Sequence, residues 1–266
     1  MQMLELYKRS MQIQQKSALV WIAALAALTI SVLSVWPSMK DSGSLEGFTT
    51  GMPTELTEAL GMSDFATAAG YLNGNLYALL LPLCIGMLGL TTIITLTAGD
   101  EENGRLELLL ALPISRKIVY LARLLSVFTV IIVTSTVLAL IILSLASALD
   151  MELTTIGTIA VSTAIALLGL FHAAFAYAIT SAGISKSSAT AATAAVLIIG
   201  YIIHAIIPMS GASESISYIS PWHWVLNNNP LVNGFDVAGT LSLTTVTLAL
   251  SAIGTILIAH RDIKTA

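Results

Sequence analysis

The chain has 266 residues, 56% of them hydrophobic and only 10% charged, with a formal net charge of −4. A soluble globule draws on about 25% charged residues to cover its surface, so lipid surrounds most of this chain. The composition offers no basic patch for nucleic acid, and the one cysteine, Cys84, excludes an internal disulfide.

At the start of the chain, Met3, Leu4, Tyr7 and Met11 share one helical face, while Glu5, Lys8 and Gln12 lie elsewhere. Residues 1–16 read as a short amphipathic helix lying on a membrane surface. Lys8, Arg9 and Lys16 then precede an apolar run over 18–36. That run is too long for a signal-peptide core. It closes with Ser34-Val35-Trp36-Pro37 and no small-x-small cleavage site, so it reads as a retained span.

A helical span needs roughly 20 apolar residues free of charge. Five further stretches meet that demand, at about 75–98, 124–149 (within a helix expected over 118–149), 154–182, 188–208 and 237–259. They are long, rich in Leu, Ile, Val and Ala, and do not alternate in polarity, which implies helices rather than barrel strands. The expected fold is an all-α polytopic membrane protein, a single domain with six transmembrane helices. The loop over 37–73 is polar and acidic, with a helical turn expected near 54–60 behind Thr54. Residues 150–152 form a tight turn. Residues 209–236 contain Pro221-Trp222-His223-Trp224 and Asn227-Asn228-Asn229-Pro230, and short helices dipping back toward the lipid are expected there.

Charge orients the spans. With the N-terminus inside and six crossings, Lys8, Arg9, Lys16, Arg105, Arg116, Lys117, Arg123, Lys186, Arg261 and Lys264 fall inside, and Lys40 alone falls outside. Nine carboxylates lean the other way: Asp41, Glu46, Glu55, Glu58, Asp64, Asp150, Glu152, Glu214 and Asp236. The positive-inside rule therefore places both termini in the cytoplasm.

The second inside segment, 99–117, is the most informative. Asp100, Glu101 and Glu102 form an acidic start, where carboxylates complement a helix N-terminus. Leu106, Leu109, Leu110 and Pro113 follow at helical spacing, and Pro113 with Ser115 marks the end. The pattern predicts a short amphipathic helix parallel to the membrane. Such a helix suits a partner's groove; a juxtamembrane loop with solvated charges is the alternative.

This pattern resembles the segment between the second and third spans of ABC-2 type transporter permeases. An acidic cluster and a glycine precede a Leu-rich run and then Pro-x-Ser-Arg: here Glu101, Glu102, Gly104, Leu106, Glu107, Leu108, Leu109, Pro113, Ser115 and Arg116. Gly104-Arg105-Leu106 stands where that family often has Gly-Thr-Leu. The ending His260-Arg261-Asp262-Ile263 and the segment Ser220-Pro221-Trp222-His223-Trp224 are similar to family features too. The resemblance, in a drug- or antibiotic-type exporter, implies that residues 99–117 are a cytoplasmic coupling helix. Asp100, Glu101, Glu102, Gly104, Arg105, Glu107, Pro113 and Arg116 would seat on an ATPase. It implies two ABC ATPase subunits that bind ATP and Mg, a second permease, identical or homologous, and a prokaryotic cytoplasmic membrane. The chain has no Gly-x-x-x-x-Gly-Lys-Ser/Thr loop, so ATP hydrolysis falls to another polypeptide.

The six apolar cores hold no Lys, Arg, Asp or Glu, unlike ion-coupled carriers. Pro82, Gly86 and Gly89 predict a kinked second span. Tyr71, Asn73, Asn75 and Tyr77 at its outer end either line an exit or anchor the interface. His172 and His204 either contact substrate or bond a neighbouring helix, and they suggest no metal-binding pair. Candidate pathway residues are Tyr77, Pro82, Met87, His172, Phe175 and His204, and candidate outer-gate residues are Trp222, His223 and Trp224. No catalytic or metal set is visible. The expected function is the permease subunit of an ATP-driven exporter for a hydrophobic or amphipathic compound. The competing reading is a membrane immunity, sensor or assembly protein that does not transport.

Overall fold

The computed structural model describes residues 2–41, 52–53, 56–57, 62, 64–106, 114–207, 210 and 214–261. Among the described residues there are helices and connections and no strand. Six helices are long and apolar enough to cross a membrane, as expected. They are α1 (Gln2–Asp41), α2 (Ala68–Glu102), α3 (Arg116–Ala148), α4 (Thr155–Ser181), α5 (Lys186–Ile206) and α8 (Val237–His260). Between α5 and α8 lie a 3-10 turn (Glu214–Ile219) and the short helices α6 (Pro221–Leu226) and α7 (Pro230–Asn233). Short helices were expected there. Of the expected turn at 54–60, only Leu56 and Thr57 lie among the described residues, and both are helical.

Lipid tails are as apolar as leucine, so helices in a membrane associate through close packing and hydrogen bonds rather than through the hydrophobic effect. α4 is built for close packing. Gly157, Ala160, Ala164, Gly169, Ala173, Ala174 and Ala176 are all buried along it. It packs against α2, α3, α5 and α8 and forms the centre of the bundle. At its crossing with α2, a Cβ added to Gly89 would lie 2.7 Å from the carbonyl oxygen of Gly169, and one added to Gly169 would lie 2.6 Å from Ile85. The two glycines let the backbones touch.

Two expectations need correction. The first is the separate surface helix over 1–16. That segment is continuous with the first span in one 40-residue helix. Its inward seam runs through Leu6, Ser10, Gln14, Leu25, Thr29, Leu33 and Trp36, and Leu4 points outward at 56% exposure. The seam packs on α3, where the Tyr7 hydroxyl donates to Thr129 Oγ1 at 3.0 Å. A lateral partner is thus available to the amphipathic face inside the chain, and it needs no membrane surface.

The second correction concerns the kink in α2. The helix is interrupted by a π turn at Asn73–Tyr77, after which Leu79 leaves helical geometry with φ −138 and ψ −56. Pro82 follows three residues on, within the first turn of the renewed helix, where its missing N–H leaves no gap. Gly86 and Gly89 lie inside the unbroken helical stretch Leu80–Ile94. They admit Leu197 of α5 and the backbone of α4. A second π turn, Thr95–Gly99, precedes the final turn Asp100–Glu102.

Overpacking a tight site typically costs 1–3 kcal/mol. We expect Gly89→Leu or Gly169→Leu to lower the thermal unfolding midpoint of the detergent-purified chain. Ala252→Leu, on an exposed face of α8, should leave it unchanged; equal effects of all three would refute the packing account.

Candidate functional site

The site lies at the basic end of the bundle, which carries Arg116, Lys117, Arg123, Lys186 and Arg261. Here α2 stops. Asn103 is its C-cap with φ −91 and ψ 7, and Gly104 takes φ +69 with its N–H bonded to the Glu101 carbonyl at 3.0 Å. This is the left-handed C-terminal cap that glycine fills without strain. Helical geometry resumes at Arg105 and Leu106. Glu107 and Pro113, with the rest of 107–113, lie outside the described residues. Ser115 precedes α3 as its N-cap and Arg116 is the first residue of that helix.

The acids therefore sit at the C-terminal end of a span, not at the start of the amphipathic helix. The helix dipole disfavours negative charge at that position, so each carboxylate needs its own compensation. Asp100 is buried and accepts from Arg123 Nη2 of α3 at 2.8 Å. Arg105 Nη1, on an exposed side chain, stands 3.7 Å from its other oxygen. Glu101 pairs with Arg261, just past α8. Glu102 accepts the backbone N–H of Lys186 at 2.8 Å, at the first turn of α5, where the dipole of that helix favours an anion. Three successive residues thus reach α3, the end of α8 and the start of α5.

Hydroxyls and caps complete this end. Thr97 Oγ1 of α2 donates to Thr180 Oγ1 of α4 at 3.0 Å. The carbonyl of Thr180 accepts from Arg261 Nη1 at 3.1 Å. Arg116 Nη1 donates to the Arg261 carbonyl at 2.6 Å. The Tyr120 and Tyr177 rings lie 6.2 Å apart, and the Tyr177 hydroxyl meets Thr255 of α8 at 3.0 Å. Glu102, Asn103 and Arg105 remain exposed, while Leu106 is fully buried. A charged, exposed edge is therefore mounted on a buried polar base.

The candidate pathway residues do not share one surface. Tyr77 is fully buried and lines a narrow cavity with Leu81, Ser135, Leu138, Ile142, Ser162 and Ile165. Tyr71 is buried as well, its ring tilted against Trp36 with centroids 5.3 Å apart, and its hydroxyl donates to the Val32 carbonyl of α1. Pro82 is buried. His172 is fully buried, and its Nδ1–H donates to the Leu168 carbonyl one turn back at 2.7 Å. Phe175 is half-buried and stacks on Phe171 at 6.4 Å. Met87 is exposed, on a stripe of α2 with Leu80, Cys84, Thr91 and Thr95.

The outer-gate candidates do come together with α5. The Ser220 hydroxyl donates to the Gly200 carbonyl at 2.6 Å. Trp222 is fully buried, 5.2 Å from the Tyr201 ring, and Trp224 Nε1 donates to the Tyr218 carbonyl. His204 and His223 face each other with ring centroids 6.1 Å apart. The sequence suggested no histidine pair; 19 positions separate these two, and a fold-level contact across that gap leaves no local pattern.

A six-span helical bundle with a charged edge between its second and third spans defines the class, a polytopic helical membrane protein. The family model described as ABC-2 family transporter protein matches residues 5–260, and the chain belongs to that family. It is therefore a multi-pass membrane protein and a permease subunit of an ABC transporter, a family that works with an ABC ATPase. No curated protein matches the chain.

Removing one member of a buried ion pair strands the other, at a cost of about 3–5 kcal/mol. Asp100→Ala and Arg123→Ala should each sharply lower the thermal midpoint, and the double variant should recover part of that loss. A double variant that loses the full sum of the two would show that the pair is not coupled.

Proposed function

We propose that the chain is the permease of an ATP-driven exporter for a hydrophobic or amphipathic compound. Two copies, or this chain with a homologue, enclose the pathway, and two separate ATPase subunits bind ATP and Mg. The observation that carries this reading is the exposed edge Glu102-Asn103-Gly104-Arg105, held on a polar base at the basic end. The positive-inside rule puts that end in the cytoplasm, where an ATPase can reach it. Residues 105–116 form the seat for the ATPase.

The wall of the pathway is a stripe of α2 on which Leu80, Met87 and Thr95 are exposed and Cys84 and Thr91 half-buried. It is apolar toward one end, and two threonine hydroxyls stand at the other, each turned back to a carbonyl one turn away. Such a surface suits a greasy solute with a few polar groups. Tyr77, Pro82 and His172 support the wall from inside the bundle and do not touch the solute.

The test uses the tagged chain isolated from its native membrane. A P-loop ATPase should copurify, and its hydrolysis should rise when amphipathic compounds are added. The lone thiol of Cys84 adds a position-specific readout: its labelling by N-ethylmaleimide should differ between the nucleotide-free and vanadate-trapped complexes. Isolation without any ATPase would favour an immunity or sensor protein, and identical labelling in both states would remove α2 from the pathway.

A further inference from the structure

Arg261 follows the last residue of α8 and belongs to the terminal motif that the permease reading leaves without a task. It makes four contacts at once. Its Nη2 pairs with Glu101 at the end of α2. Its Nη1 donates to the Thr180 carbonyl at the end of α4 at 3.1 Å, where the helix dipole favours a cation. Its own carbonyl accepts from Arg116 Nη1 at the start of α3. Its guanidinium also covers Gly183, which takes φ +95 as the left-handed cap of α4. A Cβ at Gly183 would lie 2.8 Å from Arg261 Nε and 3.1 Å from its Cζ.

We propose that Arg261 is a positioning residue that carries movement of the 100–106 edge into α4 and α8. It is neither a substrate contact nor an ATPase contact. The inference rests on the permease reading for what moves the edge, but the clamp itself stands on geometry. Two observations separate it from an ordinary surface ion pair. The Arg261 and Glu101 side chains are only 17% and 15% exposed, whereas freely exposed pairs contribute little. The planar fork also binds acceptors on two helices together, which a lysine ammonium on its flexible stem does not reproduce. Since α8 is among the least buried of the six spans, a fixed polar link at its end gives it a direct mechanical tie to the edge. When the edge shifts, Glu101 pulls the guanidinium, and the guanidinium pulls the Thr180 carbonyl and the end of α8 with it.

The clamp is tested on the full chain with Arg261→Lys, Arg261→Gln and the charge exchange Glu101→Arg with Arg261→Glu. Hydrogen exchange on the purified permease reads the clamp without any ATPase. Peptides covering 99–106 and 180–187 should exchange about tenfold faster in Arg261→Gln, as expected on losing a charge-assisted bond. Arg261→Lys should show the same change in smaller degree with little loss of thermal midpoint, and the charge exchange should return 99–106 toward the native rate. In the complex with its ATPase, the ratio of amphiphile-stimulated to basal hydrolysis should fall for Arg261→Lys although the protein stays folded. Unchanged exchange at 99–106 in both single variants overturns the clamp. Faster exchange with an unchanged hydrolysis ratio overturns its role in transmission. A native complex that shows no stimulation at all contradicts the permease reading instead, and the exchange data then judge the clamp alone.

Discussion

The buried ion pair between Asp100 and Arg123 is the interaction on which the basic end of the molecule depends. A carboxylate at a helix C-terminus meets an unfavourable dipole, and a guanidinium among packed helices loses its water. Each makes the other tolerable. Because the pair holds the end of α2 against α3, the next two acids are aimed outward in sequence, Glu101 toward the end of α8 and Glu102 toward the start of α5. Three charges on one helical turn thereby fix three other spans at the basic end. The Thr97–Thr180 hydrogen bond adds α4.

The two ends of the bundle are held by different physics. At the basic end, charge and hydrogen bonds do most of the locating, and the glycine at 104 frees the chain to turn away from the span. At the opposite end, aromatic packing prevails: Trp36 and Phe65 close around Tyr71, and Trp222 fills the space beside Tyr201 and Gly200. Between them, α4 supplies small residues so that its neighbours approach closely, and no ionised group is needed at mid-depth.

Much of this was legible in the sequence, because the lipid imposes it residue by residue. Spans α3, α4, α5 and α8 begin and end within about two residues of where charge and hydropathy place them, since a charge at a span end is visible locally. The family pattern around Gly104 was legible for the same reason. What the sequence hid is what the fold brings together from afar. Asp100 and Arg123 are 23 positions apart, Glu102 and Lys186 are 84, and Glu101 and Arg261 are 160. Read locally, Asp100 to Glu102 look like the acidic start of a helix; only their distant cations reveal them as the end of one. Arg123 itself stands at the margin of an apolar run, where a snorkelling side chain and a buried one look alike. The stripe of α2 escaped notice because burial, not residue type, distinguishes Met87 from Tyr77.

The proposed function has an ATPase take hold at the edge after α2. A photo-crosslinking residue placed at Asn103, in cells expressing the native complex, tests it most directly, with the same residue at Asn228 on the opposite end as the comparison; both positions are exposed. Light should join a P-loop ATPase to the chain from position 103 and not from position 228. Capture from position 228, or from neither position in a complex that hydrolyses ATP, would contradict it.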